Sequence, residues 1–452
     1  MSKPITITAY EYCKLYRGGS LNAHDEVSLP EKTFDLLCTY IEQNETADDV
    51  DHIMTINHKG RKFIRLSKYV GTIQTADGVT IEVLPKIYSA SEGSIANAQS
   101  CREVFLDMLK HFQNTNAKSF QNASISSFKD FPLLEVYISN YLDALEELLT
   151  MGLRKGYTQV EENSNFLKGK LLVSQNIRMN AVDQSKFYIC HSKYIEDIPQ
   201  NRILMSTLQK LLDLTSNAQN EGRIYALQGR MGDIQASTNI EVDLRICSDG
   251  NRLFSGYEKI LEWSEKILHG EGFSSFAGST INIALFFSAE SLFESYVAYL
   301  FKKHAPGWAI YPQHHAYCLV DKHNKRGGVF KLRPDIVAIS YNDESDIRII
   351  DTKWKIVDAS DVRGNYGISQ ADMYQLYAYG QKYSIKNGDK NPTLTLLYPS
   401  TEKFNEQKSI DEFVYDDTEH GLKIKTIPFD LSDKNSYSDQ INKILATNGS
   451  MK

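Results

Sequence analysis

The sequence lacks the features that define several large classes of proteins. Its six cysteines are scattered among 452 residues without a C-x-x-C pair, which argues against a zinc site or a disulfide framework and predicts reduced thiols. No apolar run approaches the length of a membrane span, and the N-terminus has no signal-peptide profile. We therefore expect a cytoplasmic protein that contacts no membrane.

The sequence also lacks a nucleotide-binding loop. No G-x-x-x-x-G-K-[ST] motif occurs, and Gly169-Lys170 has Ser164 where that motif needs its first glycine. We therefore expect that this chain hydrolyses no nucleoside triphosphate by itself.

An excess of positive charge is absent as well. The formal net charge is −7, whereas non-specific DNA affinity comes mostly from neutralising phosphates. If the protein acts on DNA, this charge predicts that another subunit supplies much of the grip.

What is present indicates a folded, multidomain α+β protein. Hydrophobic residues make up 42% of the chain, and 26 Tyr and 20 Phe argue against disorder. Length, periodicity and composition predict three domains. These are a β-rich N-terminal domain over 1–95, a mainly helical central domain over 96–275 and a C-terminal α/β domain over 276–452.

The boundaries of these domains come from composition. Small polar residues over 89–100 predict a linker, and a Gly- and Ser-rich stretch over 269–280 predicts the entry to the C-terminal domain. In the N-terminal domain, Asp77-Gly78 between apolar segments predicts a hairpin, and residues 30–42 have the periodicity of a helix. The last residues are predicted to fray.

The most informative stretch is residues 329–355. Two apolar runs rich in β-branched residues flank a tip of turn-forming residues, which predicts a β-hairpin. With the turn centred on Asp343, Asp335 lies directly opposite Asp351. Directly opposed residues have Cβ atoms about 4.5–5.5 Å apart, so these two carboxylates can share one cation.

Lys353 follows Asp351 by two residues and is predicted to project from the same face, whereas Thr352 points the other way. Paired carboxylates suit a hard divalent cation, which polarises a phosphoryl oxygen and activates water. A nearby lysine can stabilise the charge of the transition state. The pattern suits hydrolysis of a phosphodiester, although a surface hairpin with solvated Asp351 and Lys353 has the same short motif.

A predicted helix at about 369–383 carries further candidates. Ser369 and Asp372 form a capping-box-like start, and Gln375 and Tyr379 are four residues apart, on one face of the helix. Without other information, these two residues are equally an ordinary half-buried polar pair.

A second predicted helix, at about 288–304, has an apolar stripe with an acidic residue at its margin. Glu294 at this margin can point into a cleft, with a solvated edge residue as the plain alternative. Glu290, one turn earlier, competes for the same role.

These motifs together resemble the PD-(D/E)xK nuclease core with the Q-x-x-x-Y element of its RecB-like branch. Within that superfamily, the chain is similar to the McrC family, the nuclease subunits of McrBC-type restriction systems. The resembling catalytic segments are Pro334-Asp335, Asp351-Thr352-Lys353, Gln375 with Tyr379, and Leu292-Phe293-Glu294. Further resembling segments are 69–71, 82–87, 166–172 with Asn180, and 197–204.

The resemblance implies a metal-dependent DNA endonuclease. Asp335 and Asp351 are implied to bind Mg²⁺, with Mn²⁺ as the alternative, and Glu294 to reach the same metal directly or through water. Lys353 is implied to stabilise the transition state or position water. Gln375 then orients Lys353 or the phosphate, with support from Tyr379.

The resemblance also implies a partner. An McrB-like AAA+ GTPase subunit would recognise and translocate double-stranded DNA, and this chain would dock on it through the N-terminal domain. This chain would stimulate the GTPase of that motor, cut DNA once assembled and be nearly inactive alone.

A basic segment precedes the hairpin. Residues 301–334 carry seven basic residues against the single acid Asp321. The basic residues are Lys302, Lys303, Lys322, Lys325, Arg326, Lys331 and Arg333. Of these, Lys322, Lys325, Arg326, Lys331 and Arg333 are candidates for contacts with DNA phosphates, and a solvated loop is the alternative.

Two other functions remain open on the sequence. One is a non-cutting adaptor that activates the motor and keeps the hairpin for structure. The other is a stand-alone DNA repair nuclease. The intact acidic and lysine positions argue against the adaptor, and a neighbouring reading frame with a nucleotide-binding loop would argue against the repair nuclease.

Overall fold

We analysed a computed structural model of the chain. It describes residues 5–19, 22–23, 25–44, 53–58, 60–89, 94–112, 133–248, 256–269, 280–321, 328–415 and 421–446. The structural statements that follow concern these residues. The predicted domain entry at 269–280 lies almost wholly outside them.

The described residues form a mixed α/β structure with eleven α-helices and several sheets. The helices are α1 (Glu31–Asn44), α2 (Ala98–Lys110), α3 (Leu133–Met151), α4 (Val173–Met179), α5 (Pro199–Leu214), α6 (Ala218–Met231), α7 (Ile240–Ser248), α8 (Glu258–His269), α9 (Ala289–His304), α10 (Gln370–Lys386) and α11 (Tyr437–Leu445). Among the described helices, none is both long and apolar enough to cross a membrane.

The described strands are between two and nine residues long. They are β1 (Thr6–Tyr10), β2 (Lys14–Arg17), β3 (Asn22–Ala23), β4 (Glu26–Leu29), β5 (Met54–Asn57), β6 (Phe63–Leu66), β7 (Tyr69–Thr75), β8 (Thr80–Leu84), β9 (Tyr88–Ser89), β10 (Ser94–Ile95), β11 (Gly156–Ser164), β12 (Lys170–Leu171), β13 (Phe187–Ile195), β14 (Ile281–Ser288), β15 (Trp308–Pro312), β16 (Cys318–Asp321), β17 (Gly328–Lys331), β18 (Ile336–Ser340), β19 (Ile347–Thr352), β20 (Thr393–Pro399), β21 (Phe413–Val414) and β22 (Lys423–Phe429).

The chain divides into two compact units, each assembled from separate segments. The first contains Met1–Ile5, Ile73–Thr80 and Phe131–Leu285. The second contains Thr6–Thr72, Ile81–Asp130 and Phe286–Lys452, and it holds every candidate catalytic residue.

The N-terminal part of the second unit is rich in strands, as the sequence predicts. Five strands form a sheet in the order β3-β4-β2-β6-β5, and α1 packs against β2 and β5. The apolar side of α1 is buried at Phe34, Leu37, Cys38 and Ile41, which confirms the predicted helix at 30–42. In the first unit, Gly78 has a φ of 82° between β7 and β8, so the predicted Asp77-Gly78 turn is also confirmed.

A six-stranded mixed sheet dominates the C-terminal part of the second unit. Its strand order is β15-β18-β19-β20-β22-β21, in which β19, β20 and β22 run parallel and the other neighbours pair antiparallel. α9 packs on β15 and β19, and α10 packs on β19 and β20. β18 and β19, the two strands of the predicted hairpin, are the second and third strands of this sheet.

The register of this hairpin agrees with the prediction. Ile336 pairs with Ile350 and Val337 with Ile349, which is the alignment that sets Asp335 against Asp351. The turn forms because Asp343 accepts hydrogen bonds from the amide and hydroxyl groups of Ser345. Turn-forming residues and β-branched strands were sufficient to determine this register.

Two helices next to the sheet also match their predictions. α10 begins after Ser369, whose hydroxyl accepts a hydrogen bond from the Asp372 amide. α9 begins after Ser288, which caps the Ser291 amide in the same way, and its predicted apolar stripe is buried. The caps fix where each helix starts, and therefore where its polar face lies.

The first unit contains a sheet that the sequence did not predict for its mainly helical central region. Among the described residues, α3–α8 form it together with a three-stranded antiparallel sheet in the order β11-β13-β12. β11 was not predicted because its nine residues, GYTQVEENS, do not alternate between apolar and polar side chains. Positions along the strand alternate between half-buried and exposed, but Val160 is the only large apolar residue on the half-buried face. Gly169 is required before β12, since a Cβ there would lie 2.4 Å from the Cys190 carbonyl oxygen.

Two smaller predictions were also wrong. The linker at 89–100 contains the short strand β10 and the start of α2, whose N-cap is Asn97. The tail predicted to fray contains α11, whose apolar residues Tyr437, Ile441, Ile444 and Leu445 are buried.

A buried carboxylate organises the helices of the first unit. Glu135 in α3 accepts four hydrogen bonds from the start of α6 and the segment before it. They come from the hydroxyl and amide of Ser216, the hydroxyl of Thr215 and the side-chain amide of Asn220. Replacing Glu135 with alanine leaves these donors without their acceptor. We expect it to lower the free energy of unfolding by about 2–4 kcal/mol, measured by urea denaturation.

Glu147 provides the matched control for this prediction. It lies on the same helix but is exposed, so Glu147→Ala is expected to change stability by less than about 0.5 kcal/mol. Equal stability of the two variants would show that the Glu135 network contributes little.

Candidate active site

Asp335 lies one residue before β18 and is held by the neighbouring strand. Its Oδ2 accepts hydrogen bonds from the amide of Thr352 at 2.7 Å and from the hydroxyl of Thr352 at 2.8 Å. The sequence placed Thr352 on the face opposite Asp351 and Lys353 and did not predict these two hydrogen bonds. Asp335 itself lies outside the regular strand, which begins at Ile336.

Asp351 lies on the central strand β19 and has no exposed surface. Neither of its carboxylate oxygens accepts a hydrogen bond of ordinary geometry, although the ammonium group of Lys353 lies 2.6 Å from Oδ2. Lys353 therefore shares a face with Asp351, as predicted. A buried carboxylate with one cation as its partner is an expensive arrangement, and such arrangements are concentrated at functional sites.

The electrostatics of the site follow from this burial. Burial raises the pKa of Asp335, and Glu294 raises it further, while the bonds from Thr352 lower it. Burial and the charge of Asp335 raise the pKa of Asp351, against the effect of Lys353. Burial lowers the pKa of Lys353, but Asp351 outweighs burial and raises it overall, so the ammonium group stays protonated. Burial and the neighbouring carboxylates thus disfavour the negative charge of Asp335 and Asp351, and a bound cation would stabilise that charge.

A chain of hydrogen bonds leads from Lys353 across α10. The lysine donates to Gln375 Oε1 at 3.4 Å, and Gln375 Nε2 donates to the hydroxyl of Tyr379 at 2.8 Å. The Tyr379 hydroxyl donates in turn to the carbonyl of Arg333 at 3.1 Å. The structure therefore brings the predicted pair Gln375 and Tyr379 to the predicted lysine and ties both to the segment before Asp335.

Glu294 on α9 faces the same region. Its Oε1 accepts a hydrogen bond from Gln313 Nε2 at 2.8 Å, whereas its competitor Glu290 lies 3.6 Å from Lys68 in an ion pair. Burial raises the pKa of Glu294, against the hydrogen bond from Gln313, and the charge of Asp351 raises it further. Of the two glutamates on α9, Glu294 is the one beside the other carboxylates.

Glu294 and Asp335 line an open cavity of about 400 Å³. Gln313, Ser291 and Ser295 add polar groups to its wall. The cavity therefore opens one edge of the carboxylate cluster to solvent.

Sequence reasoning missed Gln313. Its backbone amide donates to the Asp335 carbonyl at 2.7 Å, its side chain holds Glu294, and its φ is 44°. A non-glycine residue in this strained conformation often marks a functional site. No sequence signal pointed to Gln313, because neither its spacing nor its residue type is distinctive.

The chain from residue 64 to residue 399 matches the family model of the McrBC 5-methylcytosine restriction system component. The match spans well over half of the sequence. The chain belongs to this family. The curated proteins contain no match to it.

Solved structures from the same restriction system resemble this McrBC-family chain. One is the refined half-complex from the tetradecameric assembly of Thermococcus gammatolerans McrB AAA+ hexamers with bound McrC, with 17% identity, a TM-score of 0.60 and coverage of 97% of this chain and 99% of that chain. Another is the cryo-EM structure of the Thermococcus gammatolerans McrBC complex, with 19% identity, a TM-score of 0.44 and coverage of 66% of this chain and 88% of that chain. At 17% identity, the first likeness shows a shared fold over nearly the whole chain.

The donor set of this McrBC-family chain suits a hard cation rather than zinc. Asp335, Asp351 and Glu294 provide only oxygen, and both buried oxygens of Asp351 lack hydrogen-bond donors. Within the described ranges, however, no three His, Cys, Asp or Glu side chains converge as a preformed cage. This is compatible with Mg²⁺, which takes one or two carboxylates and keeps several waters.

The predicted DNA-contacting residues are only partly described. Lys331 and Arg333 are exposed on the segment that leads to Asp335, whereas Lys322, Lys325 and Arg326 lie outside the described residues. The role of all five in DNA binding stays a prediction.

Proposed function

We propose that this chain is the Mg²⁺-dependent DNA endonuclease subunit of an McrBC-like restriction system. The observation that carries the proposal is the cluster of Asp335, Asp351, Lys353 and Gln375 at one end of the central hairpin, in a chain of the McrBC family. Such a cluster is what the PD-(D/E)xK nucleases use, and the mixed sheet flanked by α9 and α10 is compatible with their core.

In this proposal, Asp335 and Asp351 hold Mg²⁺, and Glu294 joins them directly or through water. The bound metal supplies Lewis-acid polarisation of the scissile phosphate and lowers the pKa of a water molecule. Thr352 orients Asp335 through its two hydrogen bonds.

Lys353 has the second role in the proposed reaction. Its protonated ammonium group stabilises the extra negative charge that develops on the phosphoryl oxygens in the transition state. Gln375 fixes the direction of the lysine, and Tyr379 fixes Gln375. The cavity beside Glu294 is the entry for water and the phosphate backbone of DNA.

The proposed partner is an McrB-like AAA+ GTPase. This chain shares its fold with a chain from a complex of McrB AAA+ hexamers with bound McrC. The net charge of −7 argues that DNA is held largely by another subunit. We expect this chain to stimulate the GTPase and to cut DNA only within the complex.

The test is plasmid cleavage with Mg²⁺ by the wild-type chain and by Asp351→Ala. Each is assayed with and without GTP and the protein that the neighbouring gene encodes. We expect cleavage only when Asp351, the partner and GTP are all present. Cleavage by the chain alone would instead indicate a stand-alone repair nuclease. Stimulated GTP hydrolysis without cleavage of modified or unmodified DNA would indicate a non-cutting adaptor.

A further inference from the structure

A carboxylate far from the catalytic cluster in sequence is fully buried beside it. Glu11, between β1 and β2, is 2% exposed and lies outside the segment that matches the family model. Its Oε1 accepts a hydrogen bond from the Lys86 amide at 2.9 Å, and its Oε2 accepts one from Trp354 Nε1 at 2.7 Å. Burial raises the pKa of Glu11 to about 7, and these two hydrogen bonds oppose the shift. An ionisable group kept at such a buried position calls for an explanation.

Trp354, the partner of Glu11, is the residue after Lys353. Its indole is 6% exposed and packs edge-on against Phe293, with 5.3 Å between the ring centroids. Phe293 is the residue before Glu294. Trp354 thus follows Lys353 in the sequence, and its indole contacts the residue next to Glu294.

The backbone around Lys353 explains why such an anchor matters. β19 ends at Thr352, and residues 353–358 have no regular secondary structure. The Lys353 amide still donates to the Leu397 carbonyl at 2.9 Å, but the chain then leaves the sheet. The backbone that carries the lysine therefore depends also on what holds the next residue, in addition to the contacts of the side chain with Gln375 and Asp351.

We propose that Glu11 is a positioning residue for the catalytic lysine, acting through its hydrogen bond to the Trp354 indole. The inference rests on the proposed nuclease function and adds a group from the N-terminal strands to its site. Glu11 touches neither the metal nor the DNA. It fixes the rotation of the indole, and the indole fixes the backbone that carries Lys353.

Two substitutions remove this contact from opposite sides. Trp354→Phe keeps an aromatic ring against Phe293 but removes the N–H donor. Glu11→Leu has a similar size but offers no oxygen to either N–H donor. The control is Trp308→Phe, which changes another tryptophan of the same unit, at the start of β15, where the ring lies 5.6 Å from the Arg348 guanidinium.

The measurements are single-turnover cleavage and DNA affinity of the full chain assembled with its GTPase partner. We expect each variant to lower the cleavage rate constant roughly 10- to 100-fold, because small displacements of a catalytic group have effects of this size. DNA affinity and assembly should stay at the wild-type level. The double variant should be no slower than the slower single variant, since both remove one contact.

Three outcomes would overturn the inference. Wild-type cleavage by both variants would show that the contact does not position the lysine, while loss of cleavage in Asp351→Ala would leave the nuclease function standing. A parallel loss of cleavage, affinity and assembly would show a merely structural contact. If the wild-type complex cuts no DNA, the proposed function fails and this inference fails with it.

Discussion

Replacing Lys353 with alanine is expected to lower the rate of DNA cleavage by the assembled complex roughly 10²- to 10³-fold, the usual cost of removing one preorganised charge from a transition state. The ammonium group is 2.6 Å from the buried Asp351 carboxylate and is aimed by Gln375. No other cation is in contact with Asp351 among the described residues. Single-turnover cleavage of a plasmid with saturating Mg²⁺, partner and GTP measures the effect.

The control for this experiment is Lys403→Ala. Lys403 is an exposed lysine of the same unit, paired with Asp358, and its loss should leave cleavage unchanged. Lys353→Arg keeps the charge but changes the shape of the cation, so we expect it to recover only part of the rate. Cleavage by Lys353→Ala at the rate of the control would refute the role assigned to Lys353.

The second large effect concerns the metal. Mg²⁺ is expected to raise the melting temperature of the wild-type chain, because a ligand at 100 times its dissociation constant stabilises the folded state by about 2.7 kcal/mol. In Asp351→Asn this stabilisation should disappear, since the buried carboxylate is the central ligand in the proposed site. DNA cleavage should fall together with it by roughly 10³-fold or more, as several kcal/mol of charge stabilisation are lost.

Thermal unfolding with and without Mg²⁺ separates metal binding from catalysis. Asp343→Asn makes the same substitution at the exposed tip of the same hairpin and should keep both the Mg²⁺ effect and cleavage. Glu294→Gln should weaken the Mg²⁺ effect without abolishing it. If Mg²⁺ stabilised Asp351→Asn as much as wild type, the metal would have to bind elsewhere.

Local patterns in the sequence were sufficient for much of the site. Turn formers around Asp343 and β-branched strands set the hairpin register, and this register aligned Asp335 with Asp351. Side-chain alternation placed Lys353 beside Asp351, and helical spacing placed Gln375 beside Tyr379. These are interactions between near neighbours on one strand, one helix or one hairpin, where the backbone period alone decides the geometry.

Other local predictions failed where the pattern carried no apolar signal. β11 and β13 pair over nine residues, yet β11 has only Tyr157 and Val160 as large apolar residues and lies in the region predicted to be mainly helical. β11 is stabilised by pairing with β13, which lies more than twenty residues further along the chain. The spacing of apolar residues within β11 gives no information about such a distant partner.

The sequence by itself determined the hairpin, its register, the two capped helices and the residue types that suit a metal-dependent nuclease. Only the tertiary structure decided that Thr352 holds Asp335, that Gln313 donates a hydrogen bond to Glu294, and that Glu11 reaches Trp354 across 343 positions of the chain. The physical reason is that these contacts depend on how whole elements pack. Such packing is set by the sum of many weak interactions and leaves no mark in the spacing of the residues concerned.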